Sequence, residues 1–375
     1  MKLLIDASNL KVGGAIQVCL SVIEQLSSYK YKNIEVYYVL SRAVYQQAYK
    51  LLPSGCYEII TTDIKTTIPW DKNRRRIQLL AESYDYVFTI FGPTFWGKAK
   101  RHLIGFANPW IVTPDTIAYK KFNIITMLLM RLKVYILSQL LWSDKVKYVT
   151  ETDIIKERFI SKYKCSSSQI DVVSNCLNYI YKNINIEKIQ DKFNLNDVDC
   201  KRFVTISHDY PHKNLSIIPQ VYSELKKKGI DSKFIVTINK DSYLKKSDEF
   251  KNATINIGPV DISDCPSIYK YCHALFMPTL LECFTASYLE AMKMRIPICT
   301  SDLDFARTIC GNAALYFDPL DPKDIASKLI DVTENDFLSE MLVNNGDFML
   351  KRFPDHTERV ENYIRIISED IDVQE

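Results

Sequence analysis

The chain lacks the cysteine patterns of a zinc site or of a disulfide framework. Its ten cysteines are scattered through mostly apolar stretches, with no C-x-x-C pair and no compact cluster. Cysteines distributed in this way are typical of reduced residues in the core of a cytosolic protein. We therefore predict free thiols and a cytoplasmic protein.

Long uncharged apolar runs are also missing. The first run, residues 3–5, ends at Asp6 and is far too short for a secretory signal. Residues 124–142 are almost wholly apolar, but Arg131 and Lys133 lie at their middle, which argues against a helix that spans a bilayer. This stretch is either a buried helix or a helix that lies on an anionic membrane surface.

Acidic residues are scarce around the same stretch. Residues 98–147 hold nine Lys or Arg against Asp115 and Asp144, a net charge of +7 in a chain whose total is +3. Because the centre of this block is apolar and it contains no aromatic-rich recognition module, we predict no nucleic-acid partner. The block instead predicts contact with an anionic membrane, with the protein peripheral on the inner face of the cell membrane.

The length and the hydrophobic pattern predict two α/β domains. A chain of 375 residues exceeds what one hydrophobic core usually fills. In both halves, short apolar runs alternate with amphipathic stretches, which is the pattern of a doubly wound parallel sheet. The polar residues 183–199 interrupt this pattern and predict a linker near residues 180–200.

The expected elements fall on both sides of that linker. Predicted strands are residues 3–5, 35–40, 86–90, 103–106, 147–150 and 170–173, and then 202–207, 233–237, 254–257, 274–278, 298–300 and 314–317. Predicted helices are residues 15–27, 43–52, 74–83 and 152–162, and then 215–228, 266–272, 286–294 and 323–334.

Two glutamates follow the predicted strand that ends at Pro278. Glu282 lies in the loop after the strand, and Glu290 lies in the second turn of a helix that starts near Thr285. In an open α/β sheet, ligands bind at the carboxyl ends of the strands, where a helix N-terminus offers free N–H groups to phosphate. One carboxylate can therefore face a sugar beyond the phosphate while the other faces a ribose behind it.

This segment resembles the E-x7-E signature of the GT-B glycosyltransferases of group 1 (family four type), P-S-x-x-E-G-F-G-x-x-x-x-E-A-M. The matching residues are Pro278, Glu282, Phe284, Leu289, Glu290, Ala291 and Met292. Cys283 and Thr285 replace the two family glycines, and both are small enough to keep backbone access to a diphosphate. The resemblance implies that Glu282 contacts the transferred sugar and Glu290 the ribose, with residues 283–286 (Cys283, Phe284, Thr285 and Ala286) lining the donor site.

A second match begins at the predicted strand 202–207. The family pattern places Gly-Arg after this strand and Lys-Gly or Lys-Asn at the next helix, and its Arg and Lys bind the donor diphosphate. Lys213 fits, whereas Ser207 and His208 stand where the family has Gly and Arg. A neutral imidazole lacks the bidentate fork and the permanent charge of Arg. The resemblance thus implies Lys213 as the diphosphate partner, and His208 is either a weaker donor contact or an ordinary loop histidine.

Weaker matches extend the resemblance over nearly the whole chain. Gly13 and Gly14, between the first strand and the first long helix, form either a loop that reaches the donor phosphate and the acceptor or a simple tight turn. Val260 follows Gly258 in a further donor-side match. The implied fold is GT-B, with two Rossmann-like domains facing each other across a cleft. Residues 1–185 would form the acceptor-side domain, residues 186–351 the donor domain, and a helix of about 352–375 would pack back on the first domain.

A residue pair common in the family is absent, and so is a metal-binding motif. Where many relatives carry a His-Asp pair after the strand 103–106, this chain has Ala107 and Asn108, which leaves Asn108 as the acceptor-side candidate. No Asp-x-Asp metal motif occurs in a suitable loop. We therefore predict a retaining, metal-independent hexosyltransferase that needs no cofactor, in which Glu282 and Lys213 are the catalytic residues.

The substrates implied by the resemblance are a nucleotide-sugar donor and a glycan or a lipid-linked oligosaccharide acceptor. The predicted process is assembly of bacterial surface polysaccharide, either O-antigen or capsule. Two alternatives remain open on the residues alone. One is a catalytically silent sugar-nucleotide-binding subunit of a transferase complex, and the other is a nucleotide-sugar epimerase.

Overall fold

The computed structural model describes residues 1–11, 13–28, 34–60, 71–93 and 99–372, and these residues divide into two compact units. The first unit comprises Met1–Pro114, Leu128–Tyr179 and Pro354–Glu375, and the second comprises Asp115–Met127 and Ile180–Phe353. Lys98, the first residue of the predicted basic block, lies outside the described residues.

The first unit is built on a seven-stranded parallel sheet in the order β3-β2-β1-β4-β5-β6-β7. Its strands are β1 (Lys2–Ala7), β2 (Glu35–Ser41), β3 (Tyr57–Ile60), β4 (Tyr86–Thr89), β5 (His102–Phe106), β6 (Lys147–Thr150) and β7 (Ile170–Val172). Its helices are α1 (Gly14–Ser28), α2 (Arg42–Ala48), α3 (Lys72–Ala81), α4 (Pro109–Val112) and α6 (Asp153–Tyr163), together with α5 (Ile124–Leu141) from Leu128 onward. The central strands are buried along almost their whole length, because helices cover both faces of a doubly wound sheet.

The second unit repeats this architecture on a six-stranded sheet in the order β10-β9-β8-β11-β12-β13. Its strands are β8 (Lys201–Thr205), β9 (Ser232–Val236), β10 (Thr254–Asn256), β11 (Ala274–Met277), β12 (Ile298–Ser301) and β13 (Ala314–Phe317). Its helices are α7 (Ile218–Lys227), α8 (Lys240–Leu244), α9 (Asp248–Ala253), α10 (Cys265–Lys270), α11 (Ala286–Lys293), α12 (Asp304–Cys310), α13 (Pro322–Glu334) and α14 (Asp336–Leu350). Two parallel α/β sheets confirm the predicted fold class.

The last helix, α15 (His356–Asp372), belongs to the first unit. Val360, Tyr363 and Ile367 join the core formed by β1, β2, β4 and α1. Arg359 anchors the helix through Ser21 Oγ and Asn175 Oδ1. The chain thus returns to its first sheet after Phe353, close to the predicted position.

One domain assignment needs correction. Residues 115–127 were assigned to the first domain, but they belong to the second unit because a short 3-10 helix, Ile117–Lys121, packs against another, Pro211–Lys213. The predicted linker near residues 180–200 begins where the chain passes from the first unit to the second, at Tyr179. Lys192 N donates to Ser267 Oγ on α10, and Ser267 Oγ donates to the Gln190 carbonyl, so the polar stretch packs on the second unit.

The structure of helix α5 excludes one of the two readings of the apolar stretch, and contact with a membrane stays a prediction. The helix is long and apolar enough to cross a membrane, but only 11% of it is buried. The prediction of a buried core helix is therefore wrong. All ten cysteines are free, and seven of them are buried, as expected for reduced core thiols.

Candidate active site

The loop after β8 holds Lys213 in a fixed position. The chain turns through the 3-10 helix Pro211–Lys213, and Asn214 then adopts the left-handed conformation (φ 58°), which asparagine tolerates better than most residues. The buried Asn214 side chain donates from Nδ2 to the Pro319 carbonyl at 2.8 Å. Lys213 is thereby placed at the carboxyl end of the sheet.

The loop after β11 is tied directly to the Lys213 loop. Leu280 N donates to the His212 carbonyl at 2.7 Å, and the hydroxyl of the fully buried Thr279 lies 3.3 Å from the same oxygen. Thr279 Oγ1 donates to Glu282 Oε1 at 2.8 Å. Because β8 and β11 are neighbours in the sheet, their carboxyl-end loops meet, and Thr279 orients Glu282 at the junction.

Lys213 and Glu282 are direct partners across these two loops. Lys213 Nζ lies 2.5 Å from Glu282 Oε1, and the two side chains are only 16% and 12% exposed. Partial burial strengthens such a pair and makes the loss of one partner costly. The structure therefore brings together the two residues that the sequence predicted as catalytic.

His212 lies beside this pair and is uncharged at neutral pH. Burial lowers the pKa of His212 to about 4, which Glu282 opposes and Lys213 reinforces. The imidazole of His212 therefore adds no charge to the site. The contact of His212 with the neighbouring loop is made by its backbone carbonyl oxygen. Its ring stacks on Tyr210, with centroids 5.7 Å apart.

The N-terminus of α11 offers a place for phosphate next to the pair. Thr285 is the N-cap residue, but its side chain makes no cap hydrogen bond, and its buried hydroxyl has no partner among the described residues. The first turn of a helix leaves backbone N–H groups free, and these favour an anion. Cys283 is buried, Ala286 begins the helix, and the ring of Phe284 packs edge-on against Phe353 at 5.8 Å.

Glu290 is buried one turn further along α11. The residue is 5% exposed, and its Oε2 accepts a 2.7 Å hydrogen bond from the hydroxyl of Tyr269 on α10. Burial raises the pKa of Glu290 to about 7, while the Tyr269 bond opposes that rise. The hydroxyl of Tyr181, also fully buried, has no partner within the described part of the chain.

This burial of Glu290 makes the stability of the unliganded protein depend on pH. The ordinary pKa of a glutamate is 4.5, so between about pH 4.5 and 7 the folded state holds a proton that the unfolded state has lost. The contribution of Glu290 to the free energy of unfolding is thus present below pH 4.5 and lost as the pH rises through 7, by up to about 3 kcal/mol. Chemical denaturation at pH 5 and pH 8 should show a larger drop for the parent protein than for Glu290→Gln. Equal drops would contradict the assignment.

The other predicted donor-site residues are less central. His208 is exposed, and its ring lies 5.6 Å from that of Tyr210. Val260 is partly exposed in the turn after β10, where Gly258 adopts a positive φ of 76°. The structure places both at the carboxyl edge of the second sheet, and their contact with a donor stays a prediction.

Three predicted residues lie in the first unit, at the carboxyl ends of its strands. Gly13 has a φ of 73°, which glycine adopts without strain, and it precedes α1. A Cβ at Gly14 would meet nothing within 4 Å. Asn108 is the N-cap of α4 but makes no cap bond, and its buried Oδ1 has no partner among the described residues. The roles of these residues in ligand binding stay predictions.

The described residues contain no group of three or more His, Cys, Asp or Glu side chains that could hold a metal ion. The groups at the candidate site are a lysine, two glutamates and a helix N-terminus. Such groups bind phosphate and sugar hydroxyls through charge and hydrogen bonds.

Comparison with known proteins agrees with this arrangement. Residues 186–347 match the family model described as "Glycosyl transferases group 1", which covers the second unit almost completely. The second unit of this chain is therefore similar to the group 1 glycosyltransferases. The O-antigen chain mannosyltransferase RfbU of Salmonella typhimurium is 26% identical over 263 residues, which is 64% of this chain and 69% of that protein.

Solved glycosyltransferases share the fold along nearly the whole chain. HepE of Anabaena, in complex with UDP and glucose, superposes with a TM-score of 0.72 at 14% identity over 98% of this chain and 99% of its own. WaaG, a glycosyltransferase involved in lipopolysaccharide biosynthesis, gives 0.71 at 12% identity over 98% and 99%. The fold of this chain is therefore GT-B.

Two positioning side chains were missed in the sequence. Thr279 occupies the serine position of the P-S-x-x-E pattern, so the match to that pattern could have predicted a hydroxyl next to Glu282. Tyr269 lies 21 residues before Glu290 in the predicted helix 266–272, and only the folded structure shows that its hydroxyl reaches the Glu290 carboxylate.

Proposed function

We propose that this protein is a glycosyltransferase that moves a hexose or deoxyhexose from a nucleotide-sugar donor to a glycan or lipid-linked acceptor, with retention of the anomeric configuration and without a metal ion. The process would be assembly of a bacterial surface polysaccharide, such as O-antigen or capsule. The observation that carries the proposal is the order of groups along one sheet edge. The Lys213–Glu282 pair, the free N-terminus of α11 and the buried Glu290 match the order sugar, diphosphate and ribose.

The similar proteins support the two substrates. HepE was solved with UDP and glucose, which favours a nucleoside diphosphate donor with a hexose. RfbU is a mannosyltransferase of the O-antigen chain, and WaaG takes part in lipopolysaccharide biosynthesis, which favours a polysaccharide acceptor. Free, mostly buried cysteines support a reducing cytoplasmic setting, where nucleotide sugars are made available.

The charge at the site suits a departing nucleoside diphosphate. As the glycosidic bond to the donor phosphate breaks, negative charge grows on the diphosphate oxygens. Lys213 and the first-turn N–H groups of α11 can stabilise that charge, since a preorganised donor is worth most where charge develops. Thr285 Oγ1, which has no described partner, can add one further hydrogen bond.

Incubation with a panel of UDP-, GDP- and dTDP-hexoses tests the proposal. The correct donor should raise the unfolding temperature, because a ligand specific to the folded state stabilises it. Slow release of free sugar and nucleoside diphosphate without acceptor marks an enzyme, whereas binding without release marks a silent subunit. A new sugar nucleotide formed without acceptor marks an epimerase.

Removal of metal ions is expected to leave the activity unchanged. The donor charge is met by Lys213 and the helix N-terminus, so no bridging cation is required for the leaving group. Donor hydrolysis should proceed at the same rate after dialysis against EDTA as before it. A rate that falls with EDTA and returns with added magnesium or manganese would contradict the metal-independent mechanism.

A further inference from the structure

Helix α5 exposes a continuous apolar face. Seven large hydrophobic side chains on it are between 43% and 69% exposed, far more than singly scattered surface residues would suggest. These residues are Ile124, Ile125, Leu128, Leu129, Leu132, Tyr135 and Ile136. At about 100° per residue they fall on one side of the helix. We refer to these seven residues as the α5 face.

The opposite side of α5 fixes the helix to the protein. Val134, Ser138 and Leu141 are buried at helical spacing and form the packing stripe. The hydroxyl of Tyr163 donates to the Ser138 carbonyl at 2.9 Å, and that of Tyr148 donates to the Leu141 carbonyl at 2.7 Å. These contacts attach one side of the helix to the protein, and the other side is exposed.

Basic residues border the α5 face. At about 100° per residue, Arg131 and Lys133 fall at its two opposite edges. Lys120 and Lys121 precede the helix. The sequence contains no acidic residue between Asp115 and Asp144, so the charged residues of α5 itself are all positive.

We propose that the α5 face is the docking surface of this enzyme for an anionic lipid membrane, with α5 lying in the plane of the membrane. The apolar side chains would enter the boundary between headgroups and acyl chains, while Arg131 and Lys133 reach lipid phosphates at the edges. The proposal extends beyond the transfer reaction and does not depend on the identity of donor or acceptor.

Two other arrangements fit α5 less well. A spanning helix would place Arg131 and Lys133 in the middle of the hydrocarbon and would strip away the packing stripe of Val134 and Leu141. A second copy seated on the same face would bring two sets of basic residues together without an acidic partner, since a two-fold interface uses the same patch on both chains. Anionic lipid matches both the apolar face and its charge.

Vesicle flotation of the full chain tests the docking surface. We expect binding to vesicles of phosphatidylcholine with phosphatidylglycerol, weak binding to phosphatidylcholine alone, and a fall in binding at high salt. The double variant Leu128→Asp/Leu132→Asp should lose at least tenfold in binding. The pair Arg131→Gln/Lys133→Gln should lose more than tenfold together, since each basic residue near the surface contributes about fivefold.

Matched controls lie on the second unit. Phe337→Asp changes an apolar side chain on α14 that is 79% exposed, and Lys226→Gln/Lys228→Gln removes two exposed charges from α7 and its end. Both controls should bind vesicles as the parent does. All variants should retain donor hydrolysis in solution, which shows that they are folded and separates this test from that of the proposed function.

Three outcomes would overturn the docking proposal. One is no binding of the parent to either vesicle, or equal binding to both. Another is parent-like binding by Leu128→Asp/Leu132→Asp. The third is a dimer, measured by light scattering, that this double variant dissolves while vesicle binding is absent, because the α5 face would then join two copies of the chain.

Discussion

Lys213→Ala is expected to lower turnover by about 10²- to 10³-fold, the range seen when one preorganised donor to a developing charge is removed. Lys213 is the only side-chain cation that the described structure shows bonded to Glu282, and it stands beside the free N-terminus of α11. Its loss removes a positive charge from the diphosphate and leaves the Glu282 carboxylate bonded to the Thr279 hydroxyl without its cationic partner. Nucleoside diphosphate affinity should fall as well, by about 1.5 to 3 kcal/mol.

Lys201→Ala is the matched control for that variant. Lys201 also forms an ion pair in the second unit, with Glu334 at 3.0 Å, but at the amino end of β8, the opposite end of the strand from the Lys213 loop. It should keep parent turnover in a steady-state assay with the identified donor. Turnover within a few-fold of the parent for Lys213→Ala would mean that the donor charge is neutralised elsewhere.

The elements of the fold were largely predictable because the strands are short apolar runs separated by amphipathic helices. Each of the twelve predicted strands overlaps an observed one. Strand β3 was missed because it is a four-residue edge strand, and three of its residues, Tyr57 among them, are only partly buried. A strand at the edge of a sheet is less buried than a central strand, so its sequence need not be a continuous apolar run.

Tertiary contacts decided what the sequence left open. Helix α5 is apolar on nearly all sides, so its sequence pattern alone could not say which side faces the protein. The structure shows that only a narrow stripe of the helix is buried. Residues 115–127 join the second unit through contact between two 3-10 helices, which no periodicity reveals.

In the candidate site too, local features were predictable from the sequence and a long-range contact was not. The E-x7-E pattern placed Glu282 and Glu290 on the correct loop and helix, because both positions are local to one strand-loop-helix segment. The contact between Glu282 and Lys213 joins residues 69 positions apart. It required the strand order, in which β8 lies next to β11, and the sequence does not specify that order.

Glu282→Ala is expected to affect turnover and nucleotide affinity in opposite ways. The carboxylate of Glu282 orients the sugar, so turnover should fall by about 10- to 100-fold, the loss for a hydrogen bond to a charged group. The same carboxylate also binds Lys213, with Nζ 2.5 Å from Oε1. Its removal frees Lys213 for the diphosphate, so affinity for the nucleoside diphosphate should stay the same or increase. Titration calorimetry and steady-state kinetics on one preparation measure both, and a weaker affinity would place Glu282 on the nucleotide.

The residual product of Glu282→Ala and the product of the parent should both retain the anomeric configuration of the donor. Inversion needs a protein base near the acceptor hydroxyl, on the face opposite the leaving group. Asn108, which stands where relatives often carry the His-Asp pair, has an amide that cannot accept this proton at neutral pH. Transfer on the same face instead lets the departing diphosphate oxygen take the proton, while Lys213 and the α11 N-terminus hold its charge. Proton NMR of the freshly formed product measures the anomeric coupling, and an inverted coupling would refute this mechanism even if every binding residue were correct.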